Sequence, residues 1–183
     1  MGEPAQTPLG REALEQLYGR LETSLYNVVY RWVWNEEDAR DLVQDAFVRL
    51  WRMRRRVRVE TVEPLVYRIA INLAANRRRS RKLWRWASLK AVSARDAETV
   101  NGLRALESAE REDAVRGAVN ALPERLKRVV LMSEFSGMTY EQIGRALGIP
   151  AGTVGSRRHQ ALKRLRQALG PLIGEEAPEG GEE

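Results

Sequence analysis

Leu14, Leu17, Leu21, Leu25, Val28, Val29, Trp32 and Val33 recur at three- and four-residue spacing, which lays one apolar stripe along a first helix. Asn35 is placed to cap a second helix, with Glu36, Glu37 and Asp38 in its first turn, where negative charge meets the positive end of the helix dipole. The inward face of that helix is Leu42, Val43, Ala46, Phe47, Leu50 and Trp51. Asp38, Asp41, Gln44, Asp45 and Arg49 fall outside it, so an acidic outer face is expected. From Arg52 to Glu63 the pattern breaks into a basic, β-branched stretch that reads as a loop, and Pro64 fits the first turn of a third helix. Val66, Ile69, Ala70 and Leu73 give this helix its buried side. Beyond Leu73 the stripe fades into Asn76-Arg-Arg-Arg-Ser-Arg-Lys82, a basic end expected to project past the core and meet something acidic.

From Ala87 to about Asp113 apolar residues are sparse and small, charges alternate and Gly102 interrupts, which reads as an interdomain linker over residues 87–113 with at most transient helical turns. Val115, Val119 and Leu122 open a second group of helices. Pro123 heads the next helix, which carries Leu126, Val129, Val130 and Met132 up to a stop at Gly137. Thr139 and Gln142 stand at capping-box spacing, Ile143, Ala146 and Leu147 keep to one face, Gly148 permits a left-handed end and Pro150 presets the helix that follows. This is a helix-turn-helix pattern. Its second helix carries Arg157, Arg158, Lys163, Arg164 and Arg166 and no acid, which suits the phosphates lining a DNA major groove. A helical projection turns Val154, Ala161 and Leu165 inward and Ser156, His159 and Lys163 outward, with Gly152 and Thr153 at the amino end, where free amides bind phosphate. Arg158 falls on the inward face, so its head either escapes to solvent or pairs with an acid such as Glu141. Gly170 and Pro171 are expected to end the helix and leave an acidic, disordered tail over 171–183.

Composition narrows the chemistry. The chain of 183 residues has no cysteine, which excludes disulfides and thiol-ligated metal sites, and His159 is its single histidine. No phosphate-cradling Gly-rich loop or nucleophile elbow occurs, so no catalytic residue, metal or cofactor is expected. Without a long apolar run or an apolar signal core at the N-terminus, neither membrane insertion nor export is expected, and the location read from the sequence is cytoplasmic. The net charge of +6 is unevenly spread: six bases and no acid lie between Arg77 and Arg85, against five glutamates and no base after Pro171. Such asymmetry points to a polyanionic partner. Taken alone, these features also fit a stand-alone helix-turn-helix regulator that binds operator DNA without polymerase, or an adaptor whose helices bind proteins.

Four ordered segments carry a more specific resemblance: Glu37-Asp-Ala-Arg-Asp-Leu-Val-Gln-Asp-Ala-Phe-Val-Arg-Leu-Trp51, Tyr67-Arg-Ile-Ala-Ile-Asn-Leu-Ala74, Leu122-Pro-Glu124 and the Thr139 to Arg166 helix pair. In this order the chain resembles an RNA polymerase sigma factor of the extracytoplasmic-function group (group IV) of the sigma-70 family. The resemblance implies an all-α protein of two small helical domains, a sigma-2-like domain over 10–86 and a sigma-4-like domain over 114–170 with the helix-turn-helix, joined by a flexible linker.

It also implies surfaces. Asp38, Asp41, Gln44 and Asp45 would contact the clamp helices of the largest polymerase subunit, and the flap of the second-largest subunit would be a further contact. The loop Arg55 to Glu63 would capture a flipped base. Asn72, Asn76, Arg77, Arg78, Arg79, Arg81 and Lys82 would hold the melted minus-ten strand, and Thr153, Ser156, Arg157, His159, Gln160, Lys163 and Arg164 would read the minus-thirty-five duplex. Trp84 and Trp86, set among arginines, would either stack on bases or anchor the linker. Relatives often carry a basic residue where Gly155 and Gln160 stand, so promoter preference is expected to differ; many also have a Trp near Leu65 and an Asp where Asn76 stands, so the wall of the base pocket is not carried over. An anti-sigma factor covering the polymerase-binding surfaces is the further partner implied, and association with the bacterial nucleoid would come through polymerase.

Overall fold

The computed structural model describes residues 9–57, 61–88 and 103–173, with side chains described over 9–57, 61–81 and 109–170. The described residues form seven α-helices and a short 3-10 turn: α1 (Arg11–Val33), α2 (Glu36–Arg52), the turn Arg54–Arg56, α3 (Val62–Ser88), α4 (Leu103–Ala121), α5 (Glu124–Phe135), α6 (Tyr140–Leu147) and α7 (Ala151–Ile173).

The stripe of α1 is its buried face, with Leu25, Val28 and Val29 fully enclosed and Trp32 nearly so. Each such side chain removed from water contributes roughly 1.5–3 kcal/mol before chain entropy is subtracted. The helix ends abruptly at Trp34, whose left-handed backbone (φ 55°) lets its N–H bond back to the Tyr30 carbonyl. Asn35 then caps α2 by accepting from the Asp38 amide at 2.8 Å. Leu42, Val43, Ala46, Phe47 and Leu50 close onto α1 and α3, and α3 supplies Val66, Tyr67, Ala70, Ile71 and Ala74. Val57, which follows the turn, and Val62, at the start of α3, are both buried.

In the last four helices the capping box forms as the spacing predicts: Thr139 accepts from the Gln142 amide while the Gln142 side chain accepts from the Thr139 amide. Gly148 closes α6 at φ 69°. The close approach in this corner is at Gly144, where a Cβ would stand 2.6 Å from the Ile149 carbonyl oxygen, so only glycine lets the turn fold back onto α6. Val154 and Ala161 are the buried anchors of α7.

Two stretches differ from the sequence pattern. Helix α4 begins at Leu103, inside the stretch 87–113 expected as linker. Its residues are rich in Ala, Leu, Arg and Glu, whose helix propensity forms the helix where the apolar stripe is weak, and it rests on α7. Helix α7 continues through Gly170 and Pro171 to Ile173, because the fixed φ of proline is itself helical and a proline this near the end forfeits a single hydrogen bond. The remainder of the expected tail, 174–183, and the central part of the expected linker, 89–102, lie outside the described residues.

The two groups of helices are in contact. α5 packs on α1 and α6 on α3, so the buried apolar residues of both halves form one continuous cluster.

Candidate nucleic-acid interface

Three polar surfaces stand on this scaffold. The first is the outer face of α2, where Asp41, Gln44 and Asp45 are all exposed. Gln44 also lines a groove of about 400 Å³ between α1 and α2, with Tyr18, Glu22, Tyr26 and Arg40. Asp38 does not belong to this face. It is 5% exposed, and its carboxylate accepts from Arg77 at 2.9 Å and lies 2.8 Å from Arg81 Nη2 as an ion pair without hydrogen-bond alignment. As the residue whose amide Asn35 caps, it starts α2 on the side turned toward α3. The acidic group that meets the basic end of α3 is thus partly the chain's own.

The second surface is the C-terminal half of α3. Asn72, Asn76, Arg77, Arg79 and Arg81 are exposed and Arg78 is half-buried. The side chains of Lys82, Trp84 and Trp86 lie outside the described residues. The surface is already engaged by groups that sequence reasoning did not single out. Arg128 of α5 donates to Asn72 Oδ1 at 2.8 Å, Arg78 donates to the Asn120 carbonyl at 3.0 Å, and Arg79 lies 3.6 Å from Glu124. Arg128 also grips Glu124 through two nitrogens, at 2.6 and 3.2 Å. The Glu124 carboxyl is held below the usual range by the hydrogen bond from Arg128, with the charges of Arg128, Arg79 and Arg78 adding to it. The one signal in the sequence was the Leu122-Pro-Glu124 segment, which marks a helix start and says nothing of what it faces.

Beside these contacts Lys127 is fully buried, donating to Asn120 Oδ1 at 2.9 Å with its ammonium 4.9 Å from the centre of the Trp32 ring. Burial, helped by the charge of Arg78, pushes its pKa down to about 7. The seam continues with Arg31 stacked 3.8 Å over Phe135, Arg116 over Trp34 and Tyr67 Oη donating to the Ser136 carbonyl at 3.4 Å.

The third surface is α7. Ser156, His159, Gln160, Lys163 and Arg164 are exposed, Thr153 and Arg157 half-buried, so the residues expected to read duplex DNA share one accessible side. Among the described residues, none of these seven side chains contacts another helix through a hydrogen bond or ion pair. Arg158 pairs with Glu134 of α5 at 2.7 Å, not with Glu141, and so ties the inward side of α7 to the preceding helices. Gly155 lies beside the Tyr140 ring, with room for a Cβ at 3.4 Å. In the basic loop Arg54 stacks 3.9 Å over Trp51, while residues 58–60 of the expected base-capture loop lie outside the described residues.

The family profile described as Sigma-70 region 2 matches residues 17–83, and that of Sigma-70, region 4 matches residues 112–165. The chain is 32% identical over 176 residues to the RNA polymerase sigma-H factor of Pseudomonas aeruginosa, covering 90% of each protein. It is 31% identical over 169 residues to the ECF RNA polymerase sigma factor SigE of Mycolicibacterium smegmatis, covering 92% of this chain and 64% of that longer relative. Among solved structures, the sigma factor RpoE of Bartonella quintana, crystallised with the anti-sigma factor NepR, matches with a TM-score of 0.64 at 20% identity over 87% of this chain and 98% of that one.

Proposed function

The chain belongs to the extracytoplasmic-function group of the sigma-70 family, non-catalytic factors that direct core RNA polymerase to promoters, and from that membership we propose how its three surfaces divide the work. The sigma-2-like unit is α1 to α3 and the sigma-4-like unit α4 to α7. Asp41, Gln44 and Asp45 dock on the clamp helices of the largest polymerase subunit, and the sigma-4-like unit meets the flap of the second-largest. Asn72, Asn76 and the arginines from Arg77 to Arg81, with Lys82, hold the separated minus-ten strand: amide side chains bond unpaired base edges and guanidiniums neutralise phosphates. The outer side of α7 reads the minus-thirty-five duplex. No residue is assigned a catalytic, metal or cofactor role.

The observation that carries this reading is the exposure of three polar surfaces on one chain: acidic residues on α2 and basic ones on α3 and on α7. A regulator working on duplex DNA alone needs the third of these and has no use for the first. Among the described residues no helix is long and apolar enough to cross a membrane. The site of action is the bacterial cytoplasm, at the nucleoid, because polymerase is there. By analogy with the Bartonella complex an anti-sigma factor is proposed as a further partner.

Run-off transcription with purified core polymerase on genomic fragments tests the assignment. Start sites appear only when the chain is added, and changing Asp41 and Asp45 together to Lys removes both transcription and co-purification with core while helix content stays the same. Undiminished binding to core by that variant would overturn the docking assignment.

A further inference from the structure

We propose that the α4–α5 corner, Asn120 to Arg128, is an intramolecular competitor of the minus-ten strand: it occupies the strand-holding face of α3 and must leave before Asn72, Arg78 and Arg79 can hold DNA. The inference rests on the strand-holding assignment of α3. The corner offers each of these residues what a nucleic acid would. Glu124 sets an anionic oxygen beside Arg79 as a phosphate does, the Asn120 carbonyl takes the Arg78 donor as a base edge or sugar does, and Arg128 supplies a donor to the Asn72 amide oxygen. The remaining arginines, Arg77 and Arg81, are held by Asp38. An amide oxygen has two lone pairs and a guanidinium five N–H donors, so the competition is for space and charge and not for single bonds: the atoms of the corner stand over Asn72, Arg78 and Arg79, and the Glu124 carboxylate repels the phosphates of an incoming strand.

The contact is built to be reversible. Arg79 and Glu124 are about half exposed, and such pairs contribute little. The seam also encloses Lys127 beside Trp32, whose indole N–H is buried without an acceptor among the described residues. Buried polar groups of this kind raise the free energy of the closed arrangement relative to one in which water reaches them. A closed state of modest stability lowers the apparent affinity for a strand by the fraction of chain that is open. The apolar part of the seam, with Phe135 under Arg31, sets the two halves in register.

The full chain allows a direct test because it contains no cysteine. Spin labels on Gly19→Cys and Ala168→Cys report the spacing of α1 and α7. Both positions are exposed, and a side chain at Gly19 meets nothing within 4 Å. The expected wild-type result is one narrow distance. Arg128→Glu removes the donor to Asn72 and sets an acid against Glu124, so the distance broadens, and affinity for a short fluorescein-labelled single-stranded oligonucleotide rises about tenfold. The sign is diagnostic: the substitution lowers net charge by two, which alone weakens binding to a polyanion. Phe135→Ala loosens the same seam without a charge change and should move both readouts the same way; it serves where Arg128→Glu fails to fold. A broad distance in the wild type, or wild-type distance and affinity in both variants, overturns the proposal. If the distance broadens without a gain in affinity, the corner does not compete. Adding Asn72→Ala and Asn76→Ala to the opened chain then shows whether the strand-holding assignment itself has failed, since in that case oligonucleotide binding does not change.

Discussion

The two basic surfaces of this chain are built alike in composition and differ in how they are kept. On α7, Ser156, His159, Gln160, Lys163 and Arg164 point to solvent, and the residue that ties the helix down, Arg158, does so from the opposite side. On α3, five of the seven expected strand contacts are engaged within the chain, three by the α4–α5 corner and two by Asp38. The surface proposed for duplex DNA is unengaged, whereas that proposed for a separated strand is engaged. Closed duplex is always present and can be met by a preformed helix. A separated strand exists only once polymerase has begun to open the promoter, so free groups on α3 would otherwise bind any exposed single strand through phosphate contacts.

The largest test of that contrast is at Asn72 and Asn76. Replacing both with Ala should leave polymerase binding and closed-complex formation intact but lower promoter opening by one to several orders of magnitude, since a good side-chain amide–base pair is worth about 1–3 kcal/mol. A template with a pre-melted bubble restores much of the activity. Permanganate footprinting on linear promoter DNA decides it, normal thymine reactivity in the double variant showing these asparagines to be plain helix surface.

A smaller effect should come from pH, and only on the α3 side. Lys127 has a pKa of about 7 in the closed chain against an ordinary 10.5. It faces Trp32 of α1, Arg78 of α3, Asn120 of α4, and Glu124 and Arg128 of its own helix. Between the two values the exposed amine binds more protons than the buried one, so closure strengthens as pH rises from about 7; below it the burial penalty is present in full. From pH 7 to 9 the closed state should gain about 2 kcal/mol, read as narrowing of the spin-label distance and weaker oligonucleotide binding. Lys127→Met should abolish that dependence. A wild-type distance that does not vary with pH would show that Lys127 remains buried when the halves separate.

Much of this architecture is legible in the sequence because it is local. The stripe from Leu14 to Val33, the Asn35 cap, the Thr139 capping box and the left-handed Gly148 depend on neighbours within a turn or two, and each is found. Contacts that join distant segments are not legible. Asp38 looks like one more acid in a first turn, and nothing within four residues reveals that Arg77 and Arg81 bury it. Glu141 is as good a partner for Arg158 as Glu134 until the angle between α5 and α7 is known. The α4–α5 corner is illegible for the same reason: Asn120, Glu124 and Arg128 read as ordinary polar helix positions, and their partners lie 42 to 56 residues away. The start of α4 is illegible on different grounds, because periodicity is blind to a helix formed by propensity.

On α7 the effects should be uniform and modest. Arg157→Ala and Arg164→Ala should each weaken binding to minus-thirty-five duplex with little change of preference and lower the slope of affinity against salt by about one. Changing Ser156, His159 and Gln160 should instead alter which promoters are used. Upstream elements that can be shuffled without effect on transcription would remove that division of labour.

The smallest expected effect is at the pair that sets α7 in place. Arg158 and Glu134 are about one-third exposed and joined at 2.7 Å, an intermediate position between a surface ion pair and a buried one. Surface pairs contribute about 0.2–1 kcal/mol, so Glu134→Gln, which keeps a hydrogen-bond acceptor of the same shape, should lower stability by no more than about that amount. The hydrogen bond to Glu134 raises the Arg158 pKa further above a value at which the guanidinium is already always charged. The effect on function should nevertheless exceed the effect on stability, because Arg158 lies between Arg157 and His159 and a small rotation of α7 moves all the groove-facing residues together. Thermal unfolding of Glu134→Gln should therefore differ from wild type by a few degrees at most, while its affinity for minus-thirty-five duplex falls several-fold, with the oligonucleotide binding of α3 unchanged. Equal losses on both surfaces would show that the pair supports the whole chain and not α7 alone.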